Sequence, residues 1–522
     1  MAMNQMGNIS INAEQPGHNL RKGFPMNTLA RICILLLISI LILTPDRAIR
    51  ADNPVPSQEN GNGLVIVDAQ TFVPDGKGGF QYPVAISDAG LTALDPIYAA
   101  GAWADGTSLL IIRLEPFVAA AAPVVFTLSP APGVNQVEST ADRIGSLTTA
   151  MPGIPAPDAL NFGSTSVTVA AGSSPVIFYR PPNDFLAGAL KTELTAQITA
   201  TESGKVIASG TLELVRPTVI LVHGFASGPA TWGTINMNHT YGGMIGALLA
   251  ICPTLTFDTV DYSNNATSGL DELAGDIPGQ IATDILVARK KGLAATRPDL
   301  VAHSYGGLLS AWYAANMSNV TITRADGFAN GFWSGRNDQY IRPNDFGKGD
   351  IRRLVTLGSP LNGSPLADGA EANYTANSIL FKLTFLGYGG DGEAIDDLMN
   401  SGSAAKIIEQ EKPAVAWVPV VGIAGTNPAG LQGAWAVVAG WAANAAGMNP
   451  QHCDLVVFDV SQEDVAGTPA IQMRTVTGVI HTGEPSDGNV ENQVVQLLDL
   501  SGPPADPPAG TPGAGIFFNS SL

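Results

Sequence analysis

The chain has little to titrate and little to cross-link. Its 522 residues include 3 cysteines and 6 histidines, with 14% charged and 7% aromatic residues. Three thiols are too few for a disulfide scaffold or a cysteine-based zinc site. Cys33 falls in an N-terminal apolar run, which leaves Cys252 and Cys453 for the rest of the chain. Positive charge is also scarce: 26 Lys and Arg face 45 Asp and Glu, a formal net charge of −19. Such a surface repels a phosphate backbone, which sets nucleic acid aside as a partner. What the chain does have is 45% hydrophobic residues, 58 Gly and 37 Pro. That mix excludes disorder throughout and demands many turns. The length exceeds one ordinary core, so two or more domains are expected.

The first residues read as an address. Arg21, Lys22 and Arg31 precede the apolar run Ile32–Leu43, broken only by Ser39, and a stretch ending in Ala51 follows. A helix of that run spans about 18 Å, short of the roughly 30 Å hydrocarbon core. The pattern predicts a signal peptide over 1–51, with Met26 as an alternative start and an uncleaved anchor as the competing reading. Its removal leaves 21 basic and 43 acidic residues. The expected destination is secreted, cell-surface or periplasmic. Residues 52–62, polar and rich in Pro, Asn and Gly, read as a linker, and Pro/Gly-rich 501–522 as a flexible tail.

Between 63 and 216 short strand-like runs alternate with turn clusters: Leu64–Val67, Tyr82–Ile86, Ser108–Leu114, Val124–Leu128, Ser166–Ala170, Val176–Tyr179 and Leu194–Ala200. This spacing predicts an all-β sandwich. Ala104-Asp105-Gly106-Thr107-Ser108, followed by Leu109–Leu114, resembles the strand opening of bacterial immunoglobulin-like modules, which implies a spacer or substrate-positioning role. From 217 to 500 the pattern changes. Thr218–Val222, Leu255–Val260, Asp299–Ala302, Leu354–Leu357 and Val418–Ile423 are buried-strand runs separated by helical stretches. Strands alternating with helices predict an α/β fold with a mostly parallel sheet.

The stretch Asp299-Leu300-Val301-Ala302-His303-Ser304-Tyr305-Gly306-Gly307 ends a strand and opens a helix around Ser304. So tight a turn strains the serine backbone and exposes Oγ, while Ala302, Gly306 and Gly307 let neighbouring backbone pass closely. The helix N-terminus adds a favourable dipole. The stretch resembles the nucleophile elbow G-x-S-x-G of the α/β-hydrolase superfamily, with Ala302 for the first Gly. A hydroxyl needs a base to become a nucleophile. The chain order of that family implies a histidine well downstream: His481, in the loop after Met473–Val476, with His452 as rival. His303 adjoins the serine, but strand alternation points it to the opposite face. Asp454, heading Asp454-Leu455-Val456-Val457, looks like the acid loop of secreted lipases, and Asp459 is the alternative.

A tetrahedral intermediate needs two N–H donors for its oxyanion. Tyr305, after the nucleophile, is one. The other is Phe225 in Val222-His223-Gly224-Phe225, where Gly224 permits the turn and His223 holds the loop. Ile351–Ala367 is similar to the strand and loop L-x-T-x-x-T-P-H-x-G-S-x-x-A, with Ser359 and Leu361 replacing Thr and His, and Asp397-Leu398 with Gly402-Ser403 is similar to D-L-x-x-G-S. Together these resemble secreted bacterial lipases and esterases, and the catalytic domain of GPI-inositol deacylases, over 217–500.

The resemblance implies ester hydrolysis through an acyl-serine, on a small-molecule or lipid ester. A phospholipid or GPI-type deacylase or an acyltransferase would use the same residues. A surface binding protein with a decayed hydrolase domain is the reading from another class. The polar insertion Ala329–Gly349 and apolar Ala429–Pro450, with Trp435 and Trp441, fit a lid and lipid-interface contact, or equally helices packed on the core. No metal-ligand spacing occurs, so neither cofactor nor metal is required, with structural calcium left open. The fold would set Cys252 and Cys453 at opposite sheet edges, about 20 Å apart. A disulfide needs Cα atoms within about 7 Å, so no bond between them is expected.

Overall fold

The computed structural model describes residues 63–68, 73–74, 80–81, 99–115, 118–131, 141–149, 163–183, 185, 193–234, 242–266, 268–273, 275–315, 349–364, 367, 393–398, 420–426, 472–477, 479 and 481–498. All described residues belong to the unit Val55–Leu522. Its N-terminal strands are β1 (Leu64–Asp68), β2 (Val73–Pro74), β3 (Phe80–Gln81), β4 (Gly101–Trp103), β5 (Leu110–Leu114), β6 (Val124–Pro130), β7 (Ser146–Thr148), β8 (Ser166–Val169), β9 (Val176–Arg180), β10 (Glu193–Glu202) and β11 (Lys205–Val215). Then come β12 (Val219–Val222), β13 (Phe257–Val260), β14 (Leu293–Ala294), β15 (Asp299–His303), β16 (Arg353–Leu357), β17 (Val420–Thr426) and β18 (Gln472–Thr477). The helices used below are α1 (Gly243–Ile251), α2 (Asp276–Lys290), α3 (Tyr305–Ala315), α4 (Glu393–Leu398) and α5 (Gly488–Leu497).

The N-terminal strands form a four-stranded sheet, β1-β5-β9-β7, and a six-stranded sheet, β14-β4-β11-β10-β6-β8. Most of their pairs are antiparallel, with Ile66 opposite Ile112 and Ile198 opposite Leu128. β10 turns into β11 through Ser203 and Gly204, at φ 50° and 78°. Two left-handed residues match the twist of a tight hairpin, and Gly204 takes that geometry without strain. Leu110, Ile112, Ile177 and Tyr179 of one sheet share a core with Phe126, Leu128, Ile198 and Leu212 of the other.

The second region is built on six parallel strands in the order β13-β12-β15-β16-β17-β18. Every residue of β12, β15 and β16 is buried, as expected of strands covered on both faces. Alternate side chains part to two cores. Ile220, Val222, Leu300, Ala302 and Leu354 pack with residues of α2 and α3. Val219, Leu221, Val301, Val355 and Leu357 pack with residues of α1 and α5. The period of two along each strand thus becomes a helix layer on each side. Among the described residues, no helix is long and apolar enough to cross a membrane.

The two regions are sewn together. β14, from the C-terminal region, pairs parallel with β4 in the N-terminal sheet. Next to it Asp105, fully buried, accepts from Thr107 N–H at 2.9 Å, Ser108 N–H at 2.7 Å and, across the junction, Thr296 N–H at 2.9 Å. The Arg352 guanidinium grips the Asp299 carboxylate and also donates to the Asn183 carbonyl at 2.9 Å. The Asp-Gly-Thr-Ser segment therefore both opens a strand and clamps the junction. Cys252 is buried at the end of α1; Cys453 lies outside the described residues.

Candidate active site

β15 ends at His303, α3 begins at Tyr305, and Ser304 between them has φ 55°. A non-glycine residue in the left-handed region is strained by its Cβ, so the flanking strand and helix must hold it there. Ser304 N–H still donates to the Leu357 carbonyl at 2.8 Å, which ties the turn to the end of β16. Small neighbours are required by contact. A Cβ on Gly306 would lie 2.6 Å from the Val222 carbonyl oxygen, and one on Gly224 would lie 2.9 Å from Ser304 Cβ. The chain leaving β12 thus passes directly beside the serine.

His481 reaches the same point from 177 residues downstream, its Nε2 2.7 Å from Ser304 Oγ. It opens the 3₁₀ turn His481–Ser486, which follows β18 and leads into α5. Asp487 caps α5, its carboxylate accepting from Asn489 N–H at 2.8 Å and Val490 N–H at 3.2 Å. Cap and turn fix where the imidazole stands. Ser304 and His481 are only 8% and 6% exposed, so their contact is largely shielded from water. An Nε2 that accepts the Oγ proton leaves the ring's own proton on Nδ1.

His303 departs from expectation. Its ring centroid is 4.8 Å from that of His481, and its Nε2 lies 2.9 Å from the His481 carbonyl oxygen. The two-residue alternation stops at Ser304, whose positive φ takes the chain out of the extended form. A carbonyl only accepts, so Nε2 of His303 carries the proton. Burial, reinforced by the charge His481 can carry, holds the His303 ring well below its ordinary pKa and keeps it neutral. Glu484, which no motif singles out, is fully buried with its carboxylate 3.6 Å from His303 Nε2.

His223 sits in the loop after β12. Its Nδ1 lies 3.0 Å from the Gly224 carbonyl, its Nε2 accepts from Tyr262 N–H at 3.3 Å, and its ring stacks on Tyr262 at 3.8 Å. The Tyr262 hydroxyl donates to the His223 carbonyl. Burial lowers the His223 pKa, against the opposing pull of Gly224 and Asp261. A neutral ring with both nitrogens engaged is a brace for the loop. Ala226 continues that loop at φ 49° and donates to the Ala266 carbonyl at 3.0 Å.

Phe225 lies edge-on to Tyr305, with ring centroids 6.3 Å apart. Tyr305 N–H belongs to the first turn of α3, where amides have no intrahelical acceptor. The Tyr305 hydroxyl donates to the Ser268 carbonyl at 3.1 Å and faces Asp397 at 3.5 Å. Asp397, at the end of α4, also accepts from Leu270 N–H at 2.8 Å. The Asp-Leu motif therefore anchors the residue next to the serine.

Asp454, Asp459 and His452 lie outside the described residues, as do Ala429–Pro450 and all of 329–348. Among the described residues, His303, His481 and Glu484 bring ligand-type atoms within 4.8 Å of one another. Within that set the His481 Nε2 lies on the Ser304 Oγ and the His303 Nε2–H on a carbonyl oxygen.

No protein-family model matches the sequence, and no curated protein matches it. Solved structures do. A mature-form lipase from Bacillus licheniformis, BlEst2, aligns at 18% identity over 54% of this chain and 91% of its own, with a TM-score of 0.38. Lipase 1 from Pelosinus fermentans aligns at 15% identity over 55% of this chain and 99% of its own, with a TM-score of 0.33. Phospholipase PlaB from Legionella pneumophila aligns at 13% identity over 53% of this chain and 55% of its own, with a TM-score of 0.32.

Proposed function

We propose that the protein hydrolyses carboxylic esters through an acyl-serine. The observation that carries this reading is the 2.7 Å contact between His481 Nε2 and the Oγ of a serine held in a left-handed strand-to-helix turn. His481 takes the Oγ proton as Oγ attacks the ester carbonyl carbon. The N–H groups of Phe225 and Tyr305 hold the oxyanion. When the intermediate collapses, the carbon–oxygen bond to the alcohol breaks and His481 passes its proton to that alcohol. Water, deprotonated by His481, then attacks the acyl-serine; the acyl–Oγ bond breaks, His481 returns the proton to Oγ, and the acid leaves. Asp454 is assigned to accept the Nδ1–H of His481 and stabilise the imidazolium.

Two further elements belong to this reading. Residues 1–51 direct export, supported by basic residues ahead of the short apolar run Ile32–Leu43. Residues 63–216 form a sandwich that positions the catalytic region, supported by the clamp that Asp105 makes with Thr296. The apolar composition of Ala429–Pro450 favours lipid-like esters.

The test is turnover of p-nitrophenyl acyl esters. The expected result is hydrolysis by the wild type and its loss, by about 10⁴-fold or more, in Ser304→Ala with an unchanged melting curve. Equal turnover by the variant would sink the assignment.

A further inference from the structure

A carboxylate without water contact must be balanced by neighbours that carry positive charge or donate protons. Glu484 is 0% exposed, and its carboxylate lies 3.6 Å from His303 Nε2. A ligand-type nitrogen of each histidine and a Glu484 oxygen all fall within 4.8 Å of one another. The fold makes room for this group. Gly358 sits at φ 53°, and a Cβ there would come 2.8 Å from the Glu484 carboxyl carbon. The spacing is local as well: Glu484 is three residues after His481 in the same 3₁₀ turn, where residues three apart stack over one another.

We infer that Glu484 is a positioning and charge-balancing residue for His481, its carboxylate stabilising the imidazolium while His481 holds the serine proton, with the neutral His303 packed beside both. This rests on the ester-hydrolysis reading and adds a second carboxylate to it. His303 cannot share the charge: it is kept neutral by burial, and its Nε2–H is spent on the His481 carbonyl. The cation that forms during turnover therefore sits on His481, with Glu484 as a fixed counter-charge.

Among the described residues, other titratable groups near His481 are few. β15 contributes His303, and the end of β12 contributes His223, whose ring is held neutral by burial. α1 and the turn Pro229–Trp232 carry no charged residue. α5 and its cap contribute Asp487, engaged with backbone amides, and Glu491, whose carboxyl is pushed up by burial and by the neighbouring Asp487. Asp454 is the acid already assigned.

The experiment is the pH profile of kcat/KM for wild type and Glu484→Gln on one p-nitrophenyl ester, with a melting curve for each. Removing the carboxylate disfavours the imidazolium, so His481 then gains its proton only at lower pH. The expected result is an acid limb displaced downward by about 0.5–1 pH unit, kcat lowered about 10–100-fold and KM within about twofold. A purely structural role would lower activity at every pH and leave the limb in place; superimposed limbs overturn the inference. If Glu484→Gln gives no cooperative melt, Glu484→Asp replaces it. There the charge remains on a shorter arm, and a smaller shift of the same sign is expected, superposition again being contrary. A fluorophosphonate probe separates the two levels. A wild type that does not label defeats the ester-hydrolysis reading, whereas labelling with superimposed limbs defeats this inference alone.

Discussion

Ser304 holds a strained backbone conformation. A non-glycine residue at φ 55° costs about 1–2 kcal/mol against an extended one, and glycine escapes most of that. Ser304→Gly should therefore raise the unfolding free energy by about 1 kcal/mol while removing ester turnover, measurable by urea titration. The opposite holds at Gly306, where a Cβ meets the Val222 carbonyl at 2.6 Å and backbone cannot step aside. Gly306→Ala should lose about 2 kcal/mol or more and most of its activity. The two depressed histidines set a sign for pH. Unfolded, His223 and His303 take up protons below about pH 6.5; folded, they resist. Stability is thus complete above that pH and is lost as pH falls toward their lowered folded values. Between pH 7.5 and 5.5 the wild type should lose more stability than His223→Gln, and equal losses would contradict the assigned neutral brace.

The elements that position the site are those whose sequence pattern is least ambiguous. β12, β15 and β16 are continuous aliphatic runs because both faces are covered, and each falls within a residue or two of its sequence expectation. The contact between Ser304 and His481 is one that the resemblance implied, since its chain order places a loop histidine well downstream of a strand-ending serine, with His452 as the rival. β11 was not legible: in Lys205–Val215 the inward positions Ala208, Leu212 and Leu214 are interrupted by Gly210, which breaks the apolar alternation. β14 has two residues and no period to read. Glu484 escaped because Thr482-Gly483-Glu484-Pro485-Ser486 has the composition of an exposed turn; only the fold shows that Gly358 leaves space for it. Between β13 and α2, burial, with Asp258 beside it, pushes the Asp284 carboxyl up to about 8. A raised folded value means the stability contribution is complete below about pH 3.9 and lost as pH rises toward 8. Asp284→Asn should be the more stable protein at pH 7 by roughly 1–3 kcal/mol, and the gain should vanish near pH 4. Equal urea midpoints at pH 7 would refute this.

Over the whole molecule, the junction between the β region and the parallel sheet behaves as core. β14 lies in the N-terminal sheet, Asp105 collects buried donors from both sides, and Arg352 joins Asp299 to Asn183. Removing one member of such a network strands the rest without partners, at about 3–5 kcal/mol. Asp105→Ala should lower the urea midpoint of the entire unit Val55–Leu522, and fluorescence and circular dichroism should report one shared transition. Two separate transitions in the wild type would mean that the junction does not couple the regions. This rigid frame is what lets a serine just after β15 and a histidine after β18 meet at hydrogen-bond distance. The most direct measurement of that meeting is peptide mapping by mass spectrometry after incubation with a fluorophosphonate. The account predicts one adduct, on the peptide containing Ser304, that forms at least about 10²-fold more slowly in His481→Ala. An adduct on another residue, or one whose rate is indifferent to His481, would contradict it.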